Sequence, residues 1–287
     1  MSLDRPFGIY LHSYFDTAYQ AVTGKQASSF RYIQGQTPLS ENSTVFWTCI
    51  GYYFLIFTTQ FLFKRLDIPA LRLKGLFIFH NLLLTAVSGG LLLLFIEQLV
   101  PIVARHGLFY AVCNHDAWTQ ELEHLYYLNY LVKYWELIDT MFLAVKRKNI
   151  GFLHWYHHSM TMVLCFTQLN GRTSVSWVPI VLNLMVHVLM YYYYACTAAG
   201  YRIWWKKYLT TLQITQFVID LFVIYFCSYN YFTSTFWPFM PYYDNCAGEE
   251  IAASFGTFLL TSYLFLFISF YRKTYKPKMP EEKPKAA

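Results

Sequence analysis

The chain has 287 residues, of which 56% are hydrophobic, 21% aromatic and 13% charged. Soluble domains contain roughly 25% charged residues, so this composition excludes an ordinary soluble protein and indicates one integral-membrane domain with polar ends. The net charge of +6 comes from basic residues in short loops and in the tail. That distribution is a topology signal and requires no nucleic-acid partner.

Residues 1–43 lack the basic start and apolar core of a cleaved signal peptide. We expect them to form a lumenal segment at the membrane interface, and the first apolar run to be a retained anchor. The seven-span domain is predicted at residues 44–271, and a basic cytosolic tail at residues 272–287.

Seven segments are long and apolar enough to cross the ~30 Å hydrocarbon core as helices, which predicts an all-α membrane protein. The second segment is expected to stop near Pro101, and residues 105–123 to form a loop. The spans are predicted at residues 44–63, 76–103, 125–145, 152–169, 175–199, 208–227 and 251–271.

Basic residues alternate in number between successive loops. The loops after the first, third and fifth spans carry four, three and three Lys or Arg residues, and the tail carries six. The loops after the second and fourth spans carry one Lys or Arg each, and the loop after the sixth span carries none. This asymmetry predicts a lumenal N-terminus and a cytosolic tail. Lys283 and Lys285 have the spacing of a dilysine retrieval signal, which predicts the endoplasmic reticulum membrane.

The six cysteines include no CxxC pair, a pattern that does not favour a structural zinc site. Cys113 and Cys246 both fall in predicted lumenal loops, where the redox conditions permit disulfides. We predict that these two cysteines pair.

Three histidines open the fourth span. His154, His157 and His158 share one helical face, because residues at i, i+3 and i+4 lie on the same side of an α-helix. Polar side chains inside a bilayer are costly and favour a functional interpretation. The alternative is three histidines that are merely hydrogen-bonded within a helical bundle.

The predicted orientation brings costly polar groups from three further spans to the same depth, near the cytosolic face. We therefore predict a single site that opens to the cytosol. There are two alternatives. The charged residues could form ion pairs that only fix helix packing, and the tyrosines could only anchor the helix at the membrane interface. The polar groups are Lys133, Glu136, Asp139 and Thr140 in the third span, Asn183, His187 and Tyr191 in the fifth, and Thr210, Gln213 and Gln216 in the sixth.

These residues resemble the motifs of the ELO family, the very-long-chain fatty-acid elongases. The resemblance covers residues 44–272. Four motifs are complete and in order: Lys133-Tyr-Trp-Glu136-Leu-Ile-Asp139-Thr140, His154-Trp-Tyr-His157-His158, Asn183 through Tyr194, and Thr210 with Gln213 and Gln216.

The resemblance implies seven helices, six of which form a ring around an acyl tunnel. It implies condensation of acyl-CoA with malonyl-CoA, with loss of CO2, to a 3-ketoacyl-CoA two carbons longer, without a further cofactor. The implied partners are membrane lipid and the ketoacyl-CoA reductase, hydroxyacyl-CoA dehydratase and enoyl-CoA reductase of the cycle, and a homodimer is left open. The context Phe152-Leu153-His154 resembles members that act on saturated and monounsaturated chains.

The sequence also supports a mechanism. Cys165 lies two turns beyond His158, so an imidazole is the candidate nucleophile. Burial favours its neutral, reactive form. We hypothesise that His157 carries the acyl group as an acyl-imidazole, which predicts ping-pong kinetics.

The other site residues are assigned supporting roles. His187 is expected to orient or share the acyl centre, His158 and Asp139 to manage protons, and Asn183, Gln213 and His154 to stabilise oxyanions. The expected substrate-binding set adds Lys133, Glu136, Thr140, Tyr191 and Gln216, together with Arg202, Lys206 and Lys207 for the CoA phosphates.

Two other classes of protein are alternatives. A membrane di-iron desaturase or hydroxylase also uses histidine boxes, but only four of the nine histidines converge on this site, and His12, His80, His106, His115 and His124 are expected to lie away from it. A seven-span receptor or transporter does not require a histidine cluster.

Overall fold

In the computed structural model, which describes residues 5–275, the chain is built from α-helices joined by connections that include short 3-10 helices; the longest run between α1 and α2 and between α7 and α8. The helices are α1 (Leu11–Thr23), α2 (Asn42–Arg65), α3 (Lys74–Cys113), α4 (Gln120–Val145), α5 (Phe152–Gly171), α6 (Trp177–Ala199), α7 (Lys206–Phe236) and α8 (Glu250–Tyr275). The predicted all-α class is therefore confirmed. Lys283 and Lys285 of the predicted retrieval signal lie outside the described residues.

Within residues 5–275, five helices are long and apolar enough to cross a membrane, namely α2, α3, α6, α7 and α8. The protein is thus a multi-pass integral membrane protein. The predicted third and fourth spans form α4 and α5, which carry the polar motifs and do not reach the same hydropathy. The number of seven spans stays a prediction.

The predicted end of the second span is wrong. Pro101 lies inside α3, which continues to Cys113 and is interrupted only at Gly107, where φ is 84°. Proline removes one backbone donor, yet the helix continues through Pro101 and resumes after Gly107, because packing stabilises its last turns. Val112 and Cys113 are buried there against Val178 on α6. Most of the predicted loop at residues 105–123 is therefore helical.

The N-terminal segment is attached to the bundle through α1. The Glu97 side chain of α3 accepts hydrogen bonds from the backbone N–H groups of Leu11 (2.5 Å) and His12 (2.7 Å), which satisfies donors that a helix start leaves unpaired. Phe30 stacks on the His124 ring of α4 at 4.3 Å. The segment is therefore fixed to α3 and α4.

The helices pack so that the two ends of the bundle differ. α3 packs on α4 and α6, α5 on α4 and α8, and α7 on α6 and α8, while α2 contacts α4 and α5. The disulfide end is defined by the Cys113–Cys246 bridge, which confirms the predicted pairing and links α3 to the segment before α8. The histidine end, opposite it, is defined by His154 and His158 at the start of α5.

Candidate active site

The three histidines of α5 lie in its first turns and on one side, as their spacing predicted. The rings of His154 and His158 are 4.5 Å apart between centroids, and those of His157 and His158 are 5.8 Å apart. His157 also packs edge-on against Tyr263 of α8 at 4.7 Å. The cluster is therefore enclosed by α5 and α8.

One ring nitrogen of each of these histidines is buried and has no hydrogen-bond partner among the described residues. The atoms are Nε2 of His154, Nδ1 of His157 and Nδ1 of His158. An unpaired buried polar atom costs about 1–3 kcal/mol. Three such atoms in one cluster are rare in a merely structural core, so they favour a functional site.

A buried hydrogen-bond network joins α4 to α6 beside this cluster. The Lys133 ammonium donates to Glu136 Oε1 and to Asn183 Oδ1, both at 2.9 Å. Because Asn183 Oδ1 is the acceptor, its Nδ2 is the donor that faces His187 Nε2 at 3.2 Å. His187 therefore carries its proton on Nδ1, which donates to Glu136 Oε1 at 3.1 Å. The network fixes both the Asn183 amide and the His187 tautomer.

Asp139 has a second set of partners, one of which the sequence did not predict. Tyr191 donates to Asp139 Oδ2 at 2.8 Å, and His80 Nε2 lies 2.7 Å from Asp139 Oδ1. The expectation that His80 lies away from the site is wrong, because α3 packs on α4. The adjacent polar residues His80 and Asn81 inside an apolar span were the available signal in the sequence, since polar residues in spans are costly.

The remaining predicted residues divide between the site and its surroundings. Thr140 bonds to Tyr52 of α2 at 2.7 Å and is fully buried, and Thr210 contacts Tyr275 at 3.3 Å, so both join helices. The amide nitrogens of the two glutamines contact Met190 Sδ (Gln213, 3.5 Å) and Asp220 Oδ2 (Gln216, 3.3 Å). The predicted phosphate-binding residues are not among the described residues that line the two cavities of the site. They are Arg202, Lys206 and Lys207.

Two cavities meet at the histidine cluster. The histidine cavity (≈ 500 Å³) is lined by all three α5 histidines, by His187 and by Asp139. The apolar cavity has a smaller volume (≈ 100 Å³) and extends to Cys246 at the disulfide end. Most of its lining is apolar, for example Leu164, Ile180, Ile224 and Leu260. Four residues line both cavities: His157, Asn183, Gln216 and Phe217.

A group of three cysteines lies at the far end of the apolar cavity. Within residues 5–275, Cys113, Cys227 and Cys246 have sulfur atoms close enough to hold a metal ion. Cys113 and Cys246 are joined in the disulfide, so two of these three sulfur atoms are already bonded.

Comparison with known proteins gives matches along nearly the whole chain. The sequence model of the ELO family, described as the GNS1/SUR4 family, matches residues 37–283. The protein named "Putative fatty acid elongase 1" of Schizosaccharomyces pombe is 47% identical over 274 residues, which is 96% of this chain and 81% of the relative. "Fatty acid elongase A" of Dictyostelium discoideum is 34% identical over 257 residues, covering 87% of this chain and 89% of the relative.

Proposed function

Because the chain belongs to the ELO family of fatty-acid elongases, we propose that it is a very-long-chain 3-oxoacyl-CoA synthase. The protein is a condensing enzyme of fatty-acid elongation. In the proposed reaction, an acyl-CoA and malonyl-CoA combine with loss of CO2 and of one CoA, and the product is a 3-ketoacyl-CoA two carbons longer.

The meeting of the two cavities at His157 is the observation that carries the proposal. The mostly apolar lining of this cavity suits an acyl chain, in which each buried methylene contributes about 0.8 kcal/mol. The thioester of that chain would then lie at His157 and Asn183, which line both cavities. The CoA portion would extend into the histidine cavity, toward Arg202 in the connection from α6 to α7 and toward Lys206 and Lys207 at the start of α7.

In the first half-reaction, His157 attacks the thioester carbonyl carbon. Its Nδ1 is fully buried, so Nε2 is the attacking atom. The carbon–sulfur bond breaks, the acyl group is held on Nε2 as an acyl-imidazole that keeps its proton on Nδ1, and CoA leaves as a thiol after taking one proton from water. His187 is not the nucleophile, because its Nε2 lone pair already accepts the Asn183 amide.

In the second half-reaction, malonyl-CoA loses CO2 and the resulting enolate carbon attacks the acyl carbon. The carbon–nitrogen bond to His157 breaks and its lone pair is restored. Gln213 and His154 would stabilise the enolate and oxyanion charges, and His158 would transfer protons. Lys133 and Glu136 hold Asn183 and His187 in place, which is a supporting electrostatic role.

The test is a covalent adduct in the absence of malonyl-CoA. Purified protein incubated with acyl-CoA alone should release CoA stoichiometrically and carry the acyl mass on the peptide that contains His157. His157→Ala should carry none, whereas His115→Ala, a change at a side chain that is 79% exposed, should be acylated like the parent. Elongation without an adduct would contradict the acyl-imidazole, and elongation that depends on bound iron would favour a di-iron enzyme.

We also propose seven spans, six of them in a ring. The packing order α3, α4, α5, α8, α7, α6 and back to α3 supports a closed ring, with α2 outside it on α4 and α5. An endoplasmic reticulum location with the disulfide end in the lumen is supported by the Cys113–Cys246 bridge, since such bonds persist in oxidising compartments. Single introduced cysteines test this orientation in sealed microsomes. An impermeant thiol reagent should block those at the histidine end and should not reach those at the disulfide end.

The proposal has three further parts. They are a preference for saturated or monounsaturated chains, cooperation with the reductases and dehydratase of the cycle, and a homodimer. Each rests on the family resemblance. Microsomes that express the protein, supplied with labelled malonyl-CoA and acyl-CoAs of graded length and unsaturation, test the substrate preference directly.

A further inference from the structure

A chain of hydrogen bonds connects Asp139 to the outside of the bundle. The indole Nε1–H of Trp135 donates to His80 Nδ1 at 3.2 Å, and His80 Nε2 lies 2.7 Å from Asp139 Oδ1. His80 is 5% exposed, whereas Trp135 is 38% exposed on the outer face of α4. Tyr191 contacts the second oxygen of Asp139 at 2.8 Å.

The donors in this chain determine where the protons lie. An indole nitrogen only donates, so His80 Nδ1 must present its lone pair to Trp135. A neutral imidazole then carries its proton on Nε2, which donates to Asp139 Oδ1. Tyr191 donates to Oδ2, so both oxygens of Asp139 accept hydrogen bonds, the pattern of a charged carboxylate.

We propose that His80 and Trp135 are positioning residues for the proposed condensation: Trp135 sets the tautomer of His80, and His80 fixes Asp139 as an anion facing the histidine cavity. This inference rests on the proposed function. Asp139 lines that cavity together with His154 and His158. A fixed negative charge there stabilises positive charge on an imidazole that is acylated or protonated during the reaction.

The first test changes His80. His80→Phe removes the donor to Asp139 and should lower kcat about 10- to 100-fold, with KM for acyl-CoA unchanged, because His80 contacts Asp139 rather than substrate. His80→Gln retains an N–H donor at a similar reach and should recover most of the loss. Equal activity of the Phe variant and the parent, or no better activity of Gln than of Phe, would overturn the inference.

The second test separates a positioning role from packing. Trp135→Phe keeps an apolar ring and removes only the donor, so it should lower kcat about 3- to 10-fold in the parent protein. It should add no loss in the His80→Phe background, because Trp135 acts through His80. Equal losses in both backgrounds would overturn the inference. Trp47→Phe, at a 66% exposed position on α2, is the matched control and should retain full activity.

The same variants distinguish failure of this inference from failure of the proposed function. If the parent protein does not incorporate labelled malonyl-CoA into lengthened acyl-CoA, the proposed function is wrong and the inference falls with it. If the parent protein elongates and the His80 and Trp135 variants elongate equally well, only the inference is wrong. Elution of each variant as a monodisperse peak in detergent shows that activity is compared between folded proteins.

Discussion

The histidines of α5 and those of α3 and α6 border one region but differ in hydrogen bonding. His80 on α3 and His187 on α6 have both ring nitrogens within hydrogen-bond distance of partners, and both tautomers follow from those partners. On α5, His154, His157 and His158 each have a buried nitrogen without a partner in the described chain. The first set is held rigidly by its partners. We call the network of Lys133, Glu136, Asn183 and His187 the frame, and the α5 histidines the reacting group.

This difference indicates where the protein gives up stability for chemistry. Buried polar groups in a membrane protein are normally paired. The frame follows that rule, since Lys133, Glu136, Asn183 and His187 satisfy one another. The α5 cluster departs from it, since each of its three histidines has a buried ring nitrogen without a partner in the described chain, and such departures are typical of functional sites.

Substitutions at His157 and His187 give the largest expected contrast between the two sets. His157→Ala should reduce elongation at least about 10³-fold, because the proposed nucleophile is lost. Its stability should not fall by the loss of a hydrogen bond, because Nδ1 has no partner in the described chain. His187→Ala should lower both activity and stability, the latter by about 1–3 kcal/mol, since Glu136 and Asn183 each lose a partner.

Turnover of labelled malonyl-CoA and thermal unfolding in detergent measure the two effects separately. His115→Ala, an exposed change, is the control for both. If His157→Ala retained elongation, or if His187→Ala left the free energy of unfolding unchanged, the distinction between frame and reacting group would be lost.

The frame itself is tested by removing one of its charges. Lys133→Met leaves Glu136 as a buried carboxylate without its cation, which should lower the free energy of unfolding by about 3–5 kcal/mol. Adding Glu136→Gln should recover part of that loss because no uncompensated charge remains. Arg147→Met breaks a pair with Asp67 whose side chains are 36% and 90% exposed, and should cost at most about 1 kcal/mol. Equal losses for the buried and the exposed pair would contradict this description of the frame.

The parts predictable from sequence are those encoded by local spacing. Periodicity brings His154, His157 and His158 to one face, and the i, i+4 spacing of Asn183 and His187 places them in contact. The disulfide followed from the topology of two loops. The helical class followed from apolar length, because a bilayer requires backbone groups to be satisfied within each span.

The parts that could not be predicted depend on contacts between helices distant in sequence. His80 reaches Asp139 only because α3 packs on α4, and no spacing rule within α3 encodes that contact. The end of α3 could not be predicted for a related reason. Pro101 and Gly107 are local helix breakers, but burial of Val112 and Cys113 against other helices stabilises the turns beyond them.

The disulfide end should contribute to stability without contributing to the chemistry. Cys113→Ala with Cys246→Ala opens a loop of sequence separation 133 and should lower the free energy of unfolding by about 2–4 kcal/mol. Acylation of His157 should persist at an unchanged rate per folded molecule, because the bridge is at the opposite end of the apolar cavity. Cys196→Ala, which removes a free half-buried thiol, is the control. Loss of acylation in the folded double variant would show that the disulfide end and the histidine end are coupled.

The smallest expected effect is a change in product length from a substitution within the apolar cavity. Gly256 of α8 lines that cavity, and a Cβ there would lie 3.3 Å from Gln168 Nε2 and 3.6 Å from Leu164 Cδ1. Because Gly256 lines the cavity, Gly256→Val adds volume to the wall of the space proposed for the acyl chain, and each displaced methylene loses about 0.8 kcal/mol of binding. The longest product should shorten by one two-carbon step while acylation by short acyl-CoAs is unaffected. Gly51→Val on α2, where a Cβ meets nothing within 4 Å, should leave the product distribution unchanged, so equal shifts in both variants would exclude the cavity as the acyl site.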